Sequence, residues 1–469
     1  MRGGIWRDFM KTIVNIRDFG AVPCGELQTK AIQSAIDHVF LQGGGEVQVP
    51  AGTFLTGGIR LRSNVTLRLL DGAVLKGSQN PEDYFACYTE DAVEPLAPER
   101  ITDAPYVGLW TIHGETAYDP DDARYRFRRL PGSRWNNALI RAIDAENVAI
   151  IGEGSGCIDG SNCFDEIGEE LYRGPHAITF FNCKNITLSG YSIRDSANWA
   201  HNMLFCENIS MDHVRVYAGH DGFDAFSSKN ITITHCEFYT GDDCVAGFGN
   251  VNVLVADSVM NSSCSAMRFG GTNVLVRGCR IYGPGEYLFR GQLPPEDKRA
   301  GVSSTMPGRN MLSAFTYYAD YSMPIDELPG QIVIRDCTFE NVDRFLHYNF
   351  SGNETWQRYR PMNDITFEDI RATNVKMPLH AFGRADAPLT LTLRNVDISV
   401  REGEKPDTLV KAAHCRRVLF ENVRIADFDG DCLVRAMTDG EYVFRDVHCA
   451  LDETDYVKMT DETFVIKAI

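Results

Sequence analysis

Residues 185–276 repeat one short pattern five times, in which an asparagine precedes alternating apolar residues: Asn185-Ile-Thr-Leu, Asn208-Ile-Ser-Met, Asn230-Ile-Thr-Ile, Asn252-Val-Leu-Val and Asn273-Val-Leu-Val. These asparagines are 23, 22, 22 and 21 residues apart. An earlier copy begins at Asn147, and degenerate copies begin at Ile332, Ile365, Leu391 and Val418. A repeat with such regular spacing indicates a solenoid rather than a set of separate domains.

A period near 22 residues with short alternating strands predicts an all-β fold, a right-handed parallel β-helix whose coils stack on one another. Apolar side chains would fill the interior, and the repeated asparagine would lie at a turn and hydrogen-bond to its counterpart in the next coil. A leucine-rich repeat would need a Leu-rich signature with a helical segment per repeat, and a propeller would need a period of about 40 residues. The sequence has neither pattern.

One segment has helical periodicity, Thr29 to Leu41, with apolar residues at Ala31, Ile32, Ala35, Ile36, Val39 and Phe40. Gly43-Gly-Gly follows and predicts its end. We expect this helix to cap the open N-terminal end of the core. Two irregular stretches, about 85–134 and 283–329, are expected to be insertion loops that help to build the binding site. The chain is therefore predicted to be a single β-helix domain over residues 1–469.

The acidic composition limits the partners of the chain. Its formal net charge is −18 and its pI is near 5.1, which argues against nucleic acids and anionic membranes because both require a cationic surface. No stretch approaches 18 uninterrupted apolar residues, and the N-terminus lacks the apolar core of a secretory signal. The 14 cysteines are scattered and include no Cys-x-x-Cys pair. We therefore expect buried free thiols, no structural zinc and a cytoplasmic location.

Several motifs in order along the chain resemble one known family. Asp18-Phe-Gly-Ala precedes the helix, and Gly43-Gly-Gly-Glu-Val-Gln-Val-Pro-Ala-Gly follows it. Later motifs are Ile151-Gly-Glu-Gly, Asp195-Ser-Ala-Asn-Trp-Ala-His, Gly219-His-Asp-Gly-Phe-Asp and Gly241-Asp-Asp-Cys. Over nearly the whole chain this order resembles the polygalacturonase-like enzymes of glycoside hydrolase family 28. The resemblance implies a parallel β-helix that hydrolyses O-glycosidic bonds in pectic or related plant oligosaccharides and polysaccharides.

Three aspartates are the strongest candidates for chemistry. In a 22-residue coil, Asp221 and Asp243 fall in register, and Asp242 directly precedes Asp243. Adjacent coils are about 4.8 Å apart, so three carboxylates would crowd one surface patch and repulsion would raise the pKa of at least one of them. Glycoside hydrolysis needs one protonated and one ionised carboxyl. The alternatives are turn aspartates or a calcium site.

The resemblance also implies a role for each aspartate. It implies an inverting reaction, with Asp242 as the general acid and with Asp221 and Asp243 activating water. We expect neither a cofactor nor a resident metal ion. Long insertions beside the cleft suggest that one end is blocked, so that sugars would be removed from the chain end.

Two motifs of the family that contact substrate are absent. Residues 263–271 read Ser-Cys-Ser-Ala-Met-Arg-Phe-Gly-Gly where the family has Gly-His-Gly, and no Arg-Ile-Lys occurs. Arg268 lies 22 residues after Ala246 and 44 after Asp224, so we expect it on the catalytic face, with a solvated surface arginine as the alternative. The other predicted substrate contacts are His220, Asp224, Trp199, His201, Arg290 and Arg309, and further candidates are Lys298, Arg299, Trp110, Trp135 and Tyr118. The absence of these two family motifs bears on which sugar is bound more than on which reaction is catalysed.

Two other functions fit the same fold. A β-helix lyase or epimerase would abstract the proton beside a uronate carboxylate, often with calcium. A catalytically inactive carbohydrate-binding β-helix is the other alternative, which the absent histidine favours. All three hypotheses expect a carbohydrate partner, with or without uronate units, and the sequence leaves the oligomeric state open.

Overall fold

The chain forms three columns of stacked parallel strands, because each coil contributes one strand to each column. The computed structural model describes residues 12–84, 137–165, 173–287, 289–290, 310–319, 329–349, 361–403 and 405–460, together with the fragments 111–112 and 115–116 and residue 296. Strands of neighbouring coils pair in register throughout the repeated region. The predicted parallel β-helix is therefore confirmed.

Each column is a parallel sheet, and we call the three columns the first, second and third sheet in chain order. Most strands belong to only one of them. The first sheet contains Thr12–Asn15, Gly45–Val49, Val65–Leu69, Glu146–Gly152, Lys184–Ser189, Glu207–Asp212 and Lys229–Thr234. The second sheet contains Gly52–Thr56, Ala73–Gly77, Cys157–Asp159, Ser192–Arg194, Arg215–Ala218, Glu237–Thr240, Val259–Ser262 and Arg280–Tyr282. The third sheet contains Ile59–Arg60, Ala138–Ile143, His176–Phe181, His201–Leu204, Phe223–Phe226, Met311–Tyr317, Val342–Asn349, Leu379–Phe382, Thr408–Ala413, Cys432–Ala436 and Val457–Met459.

Longer strands continue from one sheet into the next. Val245–Ala256 and Ser265–Arg277 run from the third sheet into the first. The strands that run from the first sheet into the second are Gly330–Glu340, Asp364–Val375, Leu389–Val400, Cys415–Ala426 and Glu441–His448. Outside the solenoid, Thr111–Ile112 and Glu115–Thr116 form an antiparallel pair.

The interior consists of aligned apolar side chains from successive coils. The register of the first sheet stacks Ile186, Ile209, Ile231, Val253 and Val274, and each is at most 4% exposed. Because side chains alternate along a strand, the intervening polar residues face outward. The alternation noted in the sequence therefore determines which residues reach the outer surface.

The helix spans Thr29–Leu41, as predicted, and closes the N-terminal end of the core. Its buried residues are Ile32, Ala35, Ile36 and Val39, which belong to the same apolar cluster as the first coils. Phe40 was expected on the apolar face of the helix, but it is 40% exposed, and its ring centre lies 5.8 Å from the guanidinium of Arg62. Short 3-10 helices occur at Ile16–Phe19, Pro81–Tyr84 and Glu453–Asp455.

The repeated asparagines form the predicted ladder at one corner of the coil. Each side-chain amide donates a hydrogen bond to the preceding asparagine, with distances of 2.8–3.0 Å along Asn64, Asn147, Asn185, Asn208, Asn230, Asn252 and Asn273. All seven have positive φ, between 54° and 62°. Asparagine tolerates this left-handed conformation better than most residues, so one residue type serves both the backbone and the ladder.

We expect Asn230→Ala to lower the free energy of unfolding by about 1–3 kcal/mol, because it strains a left-handed residue and removes two ladder hydrogen bonds. Asn230→Gly is the matched control, since glycine adopts this φ without strain and loses only the ladder. Thermal midpoints should fall in the order wild type, Asn230→Gly, Asn230→Ala. Equal midpoints for all three proteins would contradict a stabilising ladder.

Parts of the predicted insertions can be placed. Most of residues 85–134 lie outside the described residues, whereas the stretch 283–329 contains Met311–Tyr317, a strand of the third sheet. The described cysteines are free thiols and most of them are buried, as expected. Among the described helices, none is long and apolar enough to cross a membrane.

Candidate active site

The three aspartates come together at the corner where the second sheet turns into the third. Asp221 lies in the turn between Arg215–Ala218 and Phe223–Phe226, and Asp242 and Asp243 occupy the same turn one coil later. One oxygen from each of the three carboxylates lies within 4.8 Å of the others. The backbone N–H of Asp243 donates to Asp221 Oδ1 at 3.2 Å. The stacking of coils thus produces the carboxylate cluster that the spacing predicted.

Backbone and hydroxyl groups fix the positions of these carboxylates. The N–H of Ser265, one coil further on, donates to Asp243 Oδ1 at 3.0 Å. The carbonyl of Asp242 accepts hydrogen bonds from Thr240 Oγ1, at 2.8 Å, and from Ser262 Oγ. At Gly222 a Cβ atom would lie 2.6 Å from the carbonyl oxygen of Cys244, so the turn has no room for a side chain there. The aspartates are therefore held by rigid neighbouring coils.

A second column, polar except for Ala246, follows the aspartates on the outer face of the third sheet. Strand pairing aligns Asn202, Asp224, Ala246, Arg268 and Thr316. The Arg268 guanidinium lies 3.9 Å from Asp243 Oδ2 and 4.5 Å from the ring centre of Tyr318. The expectation that Arg268 projects onto the same face as the aspartates agrees with this register.

Burial and mutual repulsion shift the pKa values of the carboxyls. Burial, followed by the charges of Asp224, Asp242 and Asp243, raises the pKa of Asp221 well above its ordinary value. Burial likewise raises the pKa of Asp224 far above its usual range. Burial and the charge of Asp242 raise the pKa of Asp243 to about 7, although Arg268 opposes the shift. At neutral pH, burial and repulsion therefore leave at least one proton on the buried carboxyls of Asp221, Asp224 and Asp243.

His201 does not face the cleft, and its predicted sugar contact is wrong. It is 0% exposed because strand alternation turns its ring into the solenoid, where its neighbour in register is the core residue Ile178. Its two ring nitrogens hydrogen-bond to Tyr191 Oη at 3.0 Å and to the Gly222 carbonyl at 2.9 Å. Burial lowers the pKa of His201 to about 4, so the ring is neutral at physiological pH. His201 can therefore position the Asp221 turn but cannot bind a sugar.

The other predicted contacts border the aspartates to different extents. Trp199 is 7% exposed and stacks on Phe226, with ring centres 5.6 Å apart. His220 is buried beside Asp221. The Arg290 backbone N–H donates to the Gly219 carbonyl at 2.9 Å, and its buried side chain packs on Gly219. Six candidates lie outside the described residues: Arg309, Lys298, Arg299, Trp110, Trp135 and Tyr118.

Arg173 is a site residue that the sequence did not reveal. It is 8% exposed, lies 3.5 Å from Asn198 Oδ1, and its charge opposes the raised pKa of Asp221. Tyr318, which packs on Arg268, was also missed. Neither Arg173 nor Tyr318 belongs to a sequence motif. Asn202, which pairs with Asp224, could have been found only from the alignment of coils every 22 residues.

The carboxylate cluster also has the oxygen-rich ligand set that hard cations such as calcium prefer. The positive charges of Arg173 and Arg268 act on the same aspartates and would oppose a dication. The calcium alternative raised by the sequence therefore has a ligand set but an unfavourable electrostatic setting.

Comparison with known proteins shows that part of the chain is similar to glycoside hydrolases. Residues 111–266, which include the three aspartates, match the family described as Glycosyl hydrolases family 28. One segment of 77 residues, 16% of this chain and 12% of the relative, is 47% identical to an exo-poly-alpha-D-galacturonosidase of Dickeya chrysanthemi. Another, of 209 residues, 43% of this chain and 36% of the relative, is 28% identical to a probable polygalacturonase of Vitis vinifera. The matches therefore span well under two thirds of either relative.

Solved structures support the fold over most of the chain. The exopolygalacturonase of Thermotoga maritima aligns with a TM-score of 0.58 and 20% identity, covering 83% of this chain and 88% of that one. The family 28 exopolygalacturonase of Yersinia enterocolitica aligns with a TM-score of 0.56 and 18% identity, covering 95% and 77%. The conclusion from these comparisons is that residues 111–266, which hold the aspartate cluster, are related to glycoside hydrolase family 28, and that the chain shares the parallel β-helix fold of the solved exopolygalacturonases.

Proposed function

We propose that this protein hydrolyses an O-glycosidic bond in a pectic or related plant oligosaccharide or polysaccharide, by inverting acid–base catalysis. The convergence of Asp221, Asp242 and Asp243 at one corner of the solenoid is the observation that carries the proposal. Such a cluster supplies both a protonated carboxyl for the leaving oxygen and an ionised one for water.

The exposure of the aspartates supports a division of roles. Asp242 is half-buried, whereas Asp221 and Asp243 are 4% and 3% exposed. The more accessible carboxyl is better placed to meet a glycosidic oxygen, so Asp242 is the proposed general acid. The backbone N–H of Asp243 bonds to Asp221, so the two buried carboxyls lie together and are the proposed base for water. In that role they must be ionised, which their raised pKa values oppose and the positive charges of Arg173 and Arg268 favour.

The compact spacing makes the stereochemistry a decisive test. Inverting enzymes usually separate acid and base carboxyls by about 6.5–9.5 Å, whereas retaining enzymes separate them by about 5–5.5 Å. Here the nearest carboxylate oxygens lie within 4.8 Å. Inversion therefore rests on the family resemblance and on the paired buried aspartates, not on this distance.

The cations around the cluster support a uronate-containing substrate. A chain with net charge −18 repels anions unless local cations offset its field. Arg173 and Arg268 supply such charge beside the aspartates. The column that carries Arg268 also contains Lys411, whereas burial lowers the pKa of His380 in the same column and keeps its ring neutral. The names of several relatives refer to galacturonate polymers, and two solved relatives are called exopolygalacturonases, which supports action at the chain end.

The test is an NMR time course with unesterified pectic oligosaccharides, run beside fully methyl-esterified counterparts. We expect saturated sugars with inverted anomeric configuration, released from the chain end, and faster cleavage of the unesterified substrate. Added salt should slow this cleavage, because it screens the attraction between arginine and uronate. A product that absorbs in the ultraviolet and activity that chelators abolish would instead support a lyase, and a retained anomer would contradict inversion.

A further inference from the structure

A second cluster of ligating side chains lies at a different corner of the solenoid, where the first sheet turns into the second. Asp212 ends the strand Glu207–Asp212, His213 follows it, and His235 occupies the same corner one coil later. The two imidazole rings stack with centres 4.8 Å apart and an interplanar angle of 24°. His213 is 65% exposed and His235 is 51% exposed in their side chains. One ligating atom from each of the three residues lies within 4.8 Å of the others.

A single carboxylate orients both rings. Asp212 Oδ2 lies 2.6 Å from His213 Nδ1, and Asp212 Oδ1 lies 2.8 Å from His235 Nδ1. The Thr234 hydroxyl donates to Asp212 Oδ1 at 2.7 Å and fixes the carboxylate in turn. When Nδ1 carries the proton and donates it to a carboxylate, the lone pair of a neutral imidazole is on Nε2. This hydrogen-bond pattern is the one that typically surrounds histidines that bind metal ions.

The fold itself does not require imidazoles at this corner. His213 and His235 have φ of 53° and 52°, and the next coil has Asp257 at the same corner with φ of 51°. Most non-glycine residues with positive φ in the described chain are Asn or Asp. A left-handed corner therefore explains a small polar side chain, but not two stacked rings that share one carboxylate.

We propose that His213 and His235 bind a divalent transition-metal ion of the zinc, nickel or copper class through their Nε2 atoms, with Asp212 positioning both rings. Imidazole nitrogen is a preferred ligand for these ions, whereas calcium and magnesium prefer oxygen. Both rings are exposed, so they can tilt toward a common ion, and water can complete its coordination. The negative charge of the chain favours a dication.

This site is separate from the proposed hydrolytic centre. The strands Arg215–Ala218 and Glu237–Thr240 lie between the histidine corner and the turns that hold the aspartates. Four residues of strand span about 13 Å. Metal binding here is therefore independent of the proposed sugar hydrolysis, and each can fail without the other.

The test is a calorimetric titration of the full chain with Zn²⁺ at pH 7.5. We expect one equivalent of Zn²⁺ to bind to the wild type and to be lost in both His213→Asn and His235→Asn. Asparagine suits left-handed corners of this fold, so these variants should keep the structure. Asp212→Asn should weaken binding about 10–100-fold, the usual effect of removing a carboxylate that supports a metal ligand. As a second readout, Zn²⁺ should raise the thermal midpoint of the wild type but not of the histidine variants.

His448 provides a matched control, because it is an exposed histidine that pairs with one carboxylate, Asp446, at 2.9 Å. His448→Asn should bind Zn²⁺ like the wild type. The proposal is overturned if the wild type binds no Zn²⁺, or if His213→Asn and His235→Asn retain the full stoichiometry and affinity. Unchanged affinity in Asp212→Asn would overturn the positioning role of that carboxylate.

Discussion

Asp242→Asn is expected to lower kcat for the glycosidic reaction by about 10²–10⁴-fold, because an amide cannot donate a proton to the leaving oxygen. The fold should be retained, since the backbone carbonyl of Asp242, and not its carboxylate, accepts the hydrogen bonds of Thr240 and Ser262. Substrate affinity should change little, so KM should stay within a few-fold of the wild type. The measurement is steady-state kinetics on unesterified pectic oligosaccharides, with thermal midpoints recorded in parallel.

Asp336→Asn is the matched control, because Asp336 is an exposed aspartate whose carboxylate lies 3.6 Å from Arg335. Its kcat should equal that of the wild type. A substrate with a leaving group of low pKa needs less protonation, so it should restore much of the lost rate in Asp242→Asn. Near-normal turnover of the ordinary substrate by Asp242→Asn would exclude Asp242 as the general acid.

The sequence was sufficient to predict the repeated part of the fold. Its asparagines recur every 21–23 residues, and the structure shows one strand per sheet in each such period. The prediction succeeded because each coil contacts mainly its neighbours, so that local periodicity determines the long-range pairing. The same counting placed Asp221 beside Asp243, and it aligned Arg268 with Ala246 and Asp224.

The same reasoning failed where the direction of a side chain, or the path of an irregular segment, decided whether a residue lies at the site. His201 was predicted to contact substrate, but its ring points into the solenoid, whereas the next residue, Asn202, is aligned with Asp224 on the other face of the strand and is also buried. Arg173 precedes the strand His176–Phe181 and reaches the aspartates from a segment without a repeat signature. Such contacts depend on the path of irregular chain, which periodicity does not predict.

The raised pKa of Asp243 links the proposed catalysis to the stability of the protein. Burial and the charge of Asp242 raise this pKa to about 7, so the folded state binds a proton that the unfolded state has already released. Stability from this group is therefore fully present below its ordinary pKa and is lost as the pH rises through about 7. The difference between the ordinary and the raised pKa of Asp243 corresponds to at most about 4 kcal/mol in the free energy of unfolding. The ionised Asp243 that the proposed water activation needs therefore destabilises the folded chain at neutral and alkaline pH.

Asp243→Asn should therefore stabilise the protein at pH 8 and leave its stability nearly unchanged at pH 4, while it removes most of the hydrolytic activity. The asparagine oxygen can still accept the hydrogen bond that the Ser265 N–H donates to Asp243, so the turn should keep its shape. We expect the thermal midpoint of the variant to exceed that of the wild type by a few degrees at pH 8, with the two curves converging as the pH falls through about 7. Scanning calorimetry from pH 4 to pH 8 measures this difference directly, with Asp336→Asn as the exposed control that should parallel the wild type. A loss of stability of equal size at both pH values would show that Asp243 stabilises the fold through its contacts. Its raised pKa would then have no effect on the free energy of unfolding.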